Sequence, residues 1–322
     1  MAHHVTLLRG DWIGPETCAA VQDIISATGV SIKWDTFDGN NIDDAVLESC
    51  RRNKVVLKAK LNAQRNAGQL PPTVQLRKEL GLWATIRPVQ ALPGQGARFP
   101  QTDLLVIRET SEDIYSGFEH EVTRGVFEAV KVTTRAACER IARLAYDEAR
   151  RRGRSKVTIV HKSNIMKKSD GMFMRVAKEV AASYPDIQTD DVIVDALCMR
   201  LVRNPAHFDV LLTLNLFGDI ISDLCAGLAG GISASPSASL GGGIAIFETP
   251  HGKAPELVGT GRANPIPLLR AAIMMLDHIG EKSAAARIER ALLTACENGL
   301  TTCDKGGDAG LEEVKAAITA LL

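Results

Sequence analysis

The sequence predicts an α/β protein built from two domains. Short apolar runs alternate with longer amphipathic stretches along the chain, the pattern of strands covered by helices. At 322 residues the chain suits two domains of ordinary size or one large one. A glycine-rich stretch, 227–243, reads as a loop or crossover and marks a domain boundary.

The elements follow in order. Val5–Leu8 is an apolar run of strand length, a turn spans Gly10 to Pro15, and Glu16–Ala27 has helical spacing. Leu104–Ile107 and Val157–Val160 read as strands. Between them a helix is predicted over Thr134–Arg151, with Ala137, Ile141, Leu144, Ala145 and Ala149 on one face and Thr133 or Thr134 as N-cap. Val210–Leu214 reads as a strand that runs into a helix starting near Asp219. Two long helices close the chain, about Ile266–His278 and Lys282–Asn298.

The composition is 45% hydrophobic and 24% charged, with 38 basic residues balancing 38 acidic ones. A net charge of zero argues against a nucleic-acid or membrane-surface protein. No run of about 18 apolar residues is present to span a bilayer. The cysteines, Cys18, Cys50, Cys138, Cys198, Cys225, Cys296 and Cys303, are odd in number and lack a CxxC, so buried free thiols are expected. Met1 to Val5 carries no basic stretch leading into an apolar core, and a cytoplasmic location is expected.

Four segments carry chemistry-bearing residues. In Asn215-Leu-Phe-Gly-Asp219-Ile-Ile-Ser-Asp223, two aspartates stand four apart, which on a helix puts both carboxylates on one face. Such a pair repels unless a cation lies between them, and hard oxygen donors suit Mg²⁺ or Mn²⁺; the alternative is one aspartate at a helix start and one solvated. His161-Lys162-Ser-Asn164 directly follows a strand. A lysine at a strand's carboxyl end points toward the side where α/β sheets bind ligands, and desolvation there turns an amine into a proton carrier; the alternative is a solvated loop lysine. Arg108-Glu-Thr-Ser-Glu-Asp-Ile-Tyr115 offers a guanidinium fork for a carboxylate and a tyrosine that is either a general acid or a packing residue. Arg77 and Arg87 bracket a short apolar stretch.

Taken together and in order, these segments resemble the β-decarboxylating dehydrogenases, the family of isocitrate, isopropylmalate, homoisocitrate and tartrate dehydrogenases. The resemblance runs from Leu8-Arg-Gly-Asp-Trp-Ile-Gly-Pro-Glu16 to the terminal helix. It is most specific from Phe208 to Pro265, including Ile-Phe-Glu-Thr-Pro-His251-Gly252-Lys-Ala-Pro-Glu256-Leu257. It implies an isocitrate/isopropylmalate dehydrogenase-like fold of two domains with a central cleft: a large cofactor domain from 1–82 and 230–322, and a small domain from 83–229 with metal and substrate residues and a dimer interface. The cofactor site of that fold is not Rossmann, in keeping with the lack of a GxGxxG after the first strand.

The resemblance also implies roles. Arg77, Arg87 and Arg108 would hold malate carboxylates, and Asp219 and Asp223 would bind Mg²⁺ or Mn²⁺ with Asp195. In this family Asp195 and Lys162 serve the partner's site, so a homodimer is implied. Lys162, with a bound water, would take the proton from the C2 hydroxyl as hydride passes to the nicotinamide. The β-keto acid then loses CO₂ with the metal as Lewis acid, and Tyr115 protonates the enol carbon. His251, Gly252, Asn264 and Asn164 would contact the cofactor. Glu256-Leu257 stands where NADP users carry a lysine and a tyrosine, which implies NAD, although Arg262 is a nearby cation.

Departures fall at the substrate's 3-substituent. Pro71 and Thr73 stand where isocitrate enzymes carry serine and asparagine, and Leu61-Asn62-Ala63-Gln64 replaces Leu-Thr-Thr-Pro. The segment is too polar for an isopropyl group. Lys60 and Arg65, beside the family lysine Lys58, either suit a more anionic or longer substituent, as in homoisocitrate or phosphonomethylmalate, or are simply solvated; isocitrate stays open. Trp12 replaces the family's usual glycine, where its indole either reshapes a pocket or turns outward, and Gly310-Leu311 replaces Gly-Thr. A reading of another class is a non-catalytic regulatory subunit of a hetero-oligomeric isocitrate dehydrogenase, against which Tyr115, Lys162, Asp195, Asp219 and Asp223 are all retained.

Overall fold

The computed structural model describes residues 2–38, 41–61, 71–231, 235–249 and 254–322. The chain forms two compact units. The first comprises Met1–Leu82, Ala91–Pro100 and Ala229–Leu322; the second comprises Trp83–Gln90 and Gln101–Leu228.

In the first unit, β1 (His3–Leu8) lies between β2 (Ile32–Phe37) and β3 (Val55–Lys58), parallel to both. β3 pairs in parallel with β12 (Ile244–Glu248), which turns back antiparallel onto β11 (Ser237–Gly241). Val5, Leu7, Val56 and Leu57 are fully buried, as expected for parallel strands covered by helices. The helices are α1 (Gly14–Ala27), α2 (Asp44–Asn53), α3 (Pro72–Glu79), α8 (Ile266–His278), α9 (Lys282–Glu297) and α10 (Leu311–Thr319).

The second unit repeats the pattern. β10 (Val210–Thr213) is parallel to β5 (Asp103–Glu109) and β8 (Lys156–His161). β8 is parallel to β9 (Gln188–Ile193), and β4 (Ala84–Gln90) is antiparallel to β5. Helix α4 (Arg135–Arg151) packs against α5 (Ser169–Ala181), and α6 (Val194–Arg203) against α7 (Asn215–Leu228). A hairpin, β6 (Glu119–Thr123) and β7 (Val126–Ala129), stands apart with every residue exposed.

Helix α4 begins as expected: the Thr134 side chain accepts from the Ala137 N–H at 3.2 Å, and Ala137, Ile141, Ala145 and Ala149 face the core while Leu144 is half-buried. Two expectations need correction. Helix α7 starts at Asn215, one turn before Asp219, because Oδ2 of Asp113 accepts from the Leu216 N–H at 3.0 Å; the cap comes from a residue 103 positions away, so no local pattern announces it. Asp219 is therefore not at a helix start. Within 227–243, residues 227–228 finish α7 and Ser237–Gly241 form β11, because Gly242 (φ +57°) and Gly243 (φ +75°) make the left-handed turn that a hairpin requires. A Cβ on Gly242 would also stand 2.7 Å from the carbonyl oxygen of Leu80.

The described cysteines are all free, five of them buried, as expected. No helix is long and apolar enough to cross a membrane among the described residues.

Candidate functional site

Two groups of side chains in the second unit bring candidate residues together. The first is assembled from β4, β5, α7 and the 3₁₀ turn Ile114–Ser116. Arg108, near the end of β5, is buried, and its guanidinium donates twice to Oδ1 of Asn215, at 3.0 Å and 2.7 Å, and also to Asp219. The hydroxyl of Tyr115 donates to the other oxygen of Asp219 at 2.5 Å, and its ring lies 5.4 Å from the Arg108 guanidinium carbon. Arg87, on β4, is equally buried; it pairs with Asp223 at 2.9 Å and also donates to Ser222. Asp219 and Asp223, one turn apart on α7, thus share a face with both arginines.

This closeness requires Gly218. A Cβ there would meet Oγ1 of Thr213 at 2.4 Å and Cγ of Arg108 at 2.5 Å.

Charges tune the group. Burial alone would raise the Asp219 carboxyl, but the Arg108 charge, the Tyr115 hydroxyl and Arg87 outweigh it and hold it below the ordinary carboxylate range. Burial, then the hydrogen bond to Asp219 and its charge, push the Tyr115 hydroxyl up, so the tyrosine keeps its proton. Nε and Nη2 of Arg87 are buried N–H groups with no partner among the described residues. Orphaned guanidinium donors of this kind are costly unless an anion meets them.

The second group is Lys162 and Asp195, which pair with each other. Lys162 is the first residue beyond β8, and its N–H donates to Oδ2 of buried Asp170 at 2.7 Å. Asp195, at the start of α6, is held below its ordinary value by the lysine's hydrogen bond. No group of three or more His, Cys, Asp or Glu side chains is arranged to hold a metal ion among the described residues. Asn164 is exposed in the turn after Lys162.

In the first unit, Thr73 and Arg77 lie one turn apart on α3, which Pro71 and Pro72 open. Arg77 pairs with Glu248 at 3.3 Å, and buried Lys58 reaches the same carboxylate at 2.8 Å. Burial opposes ionisation of Glu248, yet the charges of Lys58 and Arg77, with hydrogen bonds from Lys58 and Ser239, pull its carboxyl down to about 2. Lys60 is half-buried just after β3. Arg65, His251 and Gly252 lie outside the described residues. Glu256 is exposed in a 3₁₀ turn, Pro255–Leu257, whereas Leu257 packs into an apolar cluster of Ile13, Ala20, Ala263 and Leu311 and so anchors that turn. Asn264 is engaged at both ends: its amide nitrogen donates to Thr302 and Asp304 and its oxygen caps Ile266 of α8 at 2.9 Å. Trp12 has φ +60°, the left-handed region that favours glycine, and its side chain is 39% exposed.

Residues 4–319 match the model of the isocitrate/isopropylmalate dehydrogenase family. The chain belongs to that family. It is 44% identical over 324 residues to catalytic subunit 5 of the mitochondrial NAD isocitrate dehydrogenase of Arabidopsis thaliana, covering 97% of this chain and 87% of that protein. It is also 44% identical over 304 residues to the chloroplastic 3-isopropylmalate dehydrogenase of Solanum tuberosum, covering 91% and 85%. Among solved structures, isocitrate dehydrogenase from Methylococcus capsulatus superimposes with a TM-score of 0.92 at 41% identity, covering 99% of both chains.

Within this dehydrogenase fold, the sequence pointed to Arg87, Arg108, Tyr115, Asp219 and Asp223, and they come together. It did not point to Asn215, Ser222 or Glu248 as partners, although all three sit inside the motifs that carried the resemblance. Lys131, Asp113 and Asp170 had no individual signal in the pattern.

Proposed function

We propose that this member of the family is an NAD-dependent, metal-dependent β-decarboxylating dehydrogenase acting on a 3-substituted malate, with isocitrate the favoured substrate. The observation that carries it is the pairing of two buried arginines with two aspartates on one helix face, one arginine retaining unpartnered buried N–H groups. Such a set fits an anionic substrate held against a divalent cation. The arginines meet carboxylates, the aspartates supply hard oxygen donors, and Asp195 of a second subunit is assigned as the third.

When bound, NAD would supply the hydride acceptor, and Mg²⁺ or Mn²⁺, which Asp219, Asp223 and the second subunit's Asp195 would hold, would supply a Lewis acid for the substrate's oxygens. Arg87 and Arg108 orient the malate carboxylates, and Arg77 is assigned the same role. Lys162 of the second subunit is assigned to take the proton from the C2 hydroxyl, and Tyr115, protonated and anchored on Asp219, to return one to carbon after CO₂ leaves. Thr73, Lys60 and Arg65 are assigned to the 3-substituent. The cofactor is assigned to the large domain, residues 1–82 and 230–322, through His251, Gly252, Asn264, Glu256 and Leu257, with Asn164 from the small domain. Exposed Glu256 supports NAD, since its charge repels a 2′-phosphate.

A homodimer is part of the proposal. The exposed hairpin presents Phe127 (64%), Val122 and Val126 beside Phe118 (62%), an apolar surface suited to a second copy of the chain. A cytoplasmic location also belongs to it; the two plant relatives named above are organellar by name.

NADH formation at 340 nm with Mg²⁺ or Mn²⁺ tests the reading across isocitrate, homoisocitrate, isopropylmalate, tartrate, malate and phosphonomethylmalate. Isocitrate turnover is expected. Preference for a longer or phosphonate substrate would assign Lys60 and Arg65 to a re-specified pocket. A chain that binds isocitrate and metal without reducing NAD would instead be a regulatory subunit.

A further inference from the structure

Lys131 is a cation placed between two buried carboxylates. Its Nζ lies 2.6 Å from Oδ1 of Asp170 and 3.9 Å from Oδ2 of Asp113, with the Phe217 ring 5.2 Å away. Asp170 is fully buried and Asp113 is 2% exposed. Two carboxylates removed from water demand both a counter-charge and hydrogen-bond donors. Lys131 supplies the charge. The donors are backbone N–H groups, and each belongs to a segment that carries a residue of the proposed chemistry.

Oδ2 of Asp170 accepts from the N–H of Lys162 itself. Oδ1 of Asp113 accepts from the N–H of Ile114 at 2.8 Å, the residue before Tyr115. Oδ2 of Asp113 accepts from the N–H of Leu216 in the first turn of α7, which carries Asp219 one turn on. Asp113 does this with φ +79°, a strained conformation for a non-glycine residue that persists only where surrounding contacts over-determine it. The segment carrying Lys131 adds to that restraint: the N–H of Asp113 donates to the carbonyl of Val132 at 2.9 Å.

We propose that Lys131 is a positioning residue: through Asp170 and Asp113 it holds the backbone of Lys162, the Tyr115 turn and the metal-carboxylate helix in one fixed arrangement. The inference rests on the roles given above to Lys162, Tyr115 and Asp219. Without the ammonium, the two carboxylates are left buried with no ion-pair partner among the described residues, and the N–H groups they hold are released. Lys162 and Tyr115 then lose their set positions, whereas Arg87 and Arg108 stand on β4 and β5, strands whose pairing uses none of the released N–H groups.

The test is steady-state kinetics of the full-length protein with isocitrate, NAD and Mg²⁺, comparing Lys131→Met, Lys131→Gln and Lys131→Arg with wild type. A misplacement near 1 Å costs about a hundredfold, so Lys131→Met should lose about that much in kcat, with KM for isocitrate and NAD within about threefold. Lys131→Arg, which restores the charge, should recover most of the kcat. Lys131→Gln keeps one hydrogen bond to Asp170 without the charge; it serves the same criterion where the Met variant does not fold. A folded Met or Gln variant with kcat within about threefold of wild type, or one whose loss lies wholly in KM, overturns the proposal. Lys162→Met run alongside separates the two ideas. If it stays active, the assigned chemistry fails; if it is dead while Lys131→Met is active, only the positioning role fails.

Discussion

Tyr115 and Asp219 are joined by a 2.5 Å hydrogen bond in which the phenol donates, while Arg108 holds the opposite oxygen of the same carboxylate. The proposed proton donor and a metal-ligand candidate are therefore one hydrogen-bonded unit. Replacing Tyr115 with Phe removes the acid without altering the arginine cradle. We expect kcat to fall about a hundredfold with KM for isocitrate little changed. Turnover within about threefold of wild type would remove the tyrosine from proton transfer.

Gly218→Ala opposes two effects of known size. Alanine is the better helix former by about 1 kcal/mol. Its Cβ, however, meets Thr213 and Arg108 at 2.4 Å and 2.5 Å, and Arg108 cannot yield without giving up its bonds to Asn215 and Asp219. Overpacking of this kind costs about 1–3 kcal/mol, occasionally more, so after the helix gain the variant should lose about 1 kcal/mol in urea unfolding and bind isocitrate more weakly. Unchanged stability would mean that α7 moves off β5 freely.

Glu248 makes acid stability sensitive to the first unit. Its folded-state pKa of about 2 lies below the ordinary 4.5, so its ionisation stabilises the fold above about 4.5, and this contribution is lost as pH falls toward about 2. Glu248→Gln should be less stable at neutral pH, because Lys58 and Arg77 lose their counter-charge, and the gap from wild type should narrow across that window. A gap that stays constant from pH 5 to 2, by denaturant unfolding, would contradict the assignment.

Glu256→Lys should shift coenzyme preference toward NADP, read as the ratio of kcat/KM for the two coenzymes. Adding Leu257→Tyr should deepen the shift but lower Tm, because Leu257 fills the cluster around Ile13 and Leu311. An unchanged ratio in Glu256→Lys would show that the acidic side chain does not read the ribose.

Periodicity and motif order in the sequence were sufficient for the α/β class, the helices Arg135–Arg151 and Ile266–His278, and the family to which the chain belongs. These are local signals: a 3.6-residue stripe, an N-cap threonine, residue types at fixed spacing. Only the tertiary structure decided where α7 begins, since its cap is Asp113, and that Arg87 would meet Ser222 and Asp223 across 135 and 136 positions of chain. It also decided that Leu257 is an anchor and that Asn264 caps α8. The buried set of Lys131, Asp113 and Asp170 was invisible in the sequence, where a lone lysine and two scattered aspartates look like solvated surface. Ion pairing of this sort depends on which segments the sheet order brings side by side, and charge carries no periodicity by which a chain can announce its partner.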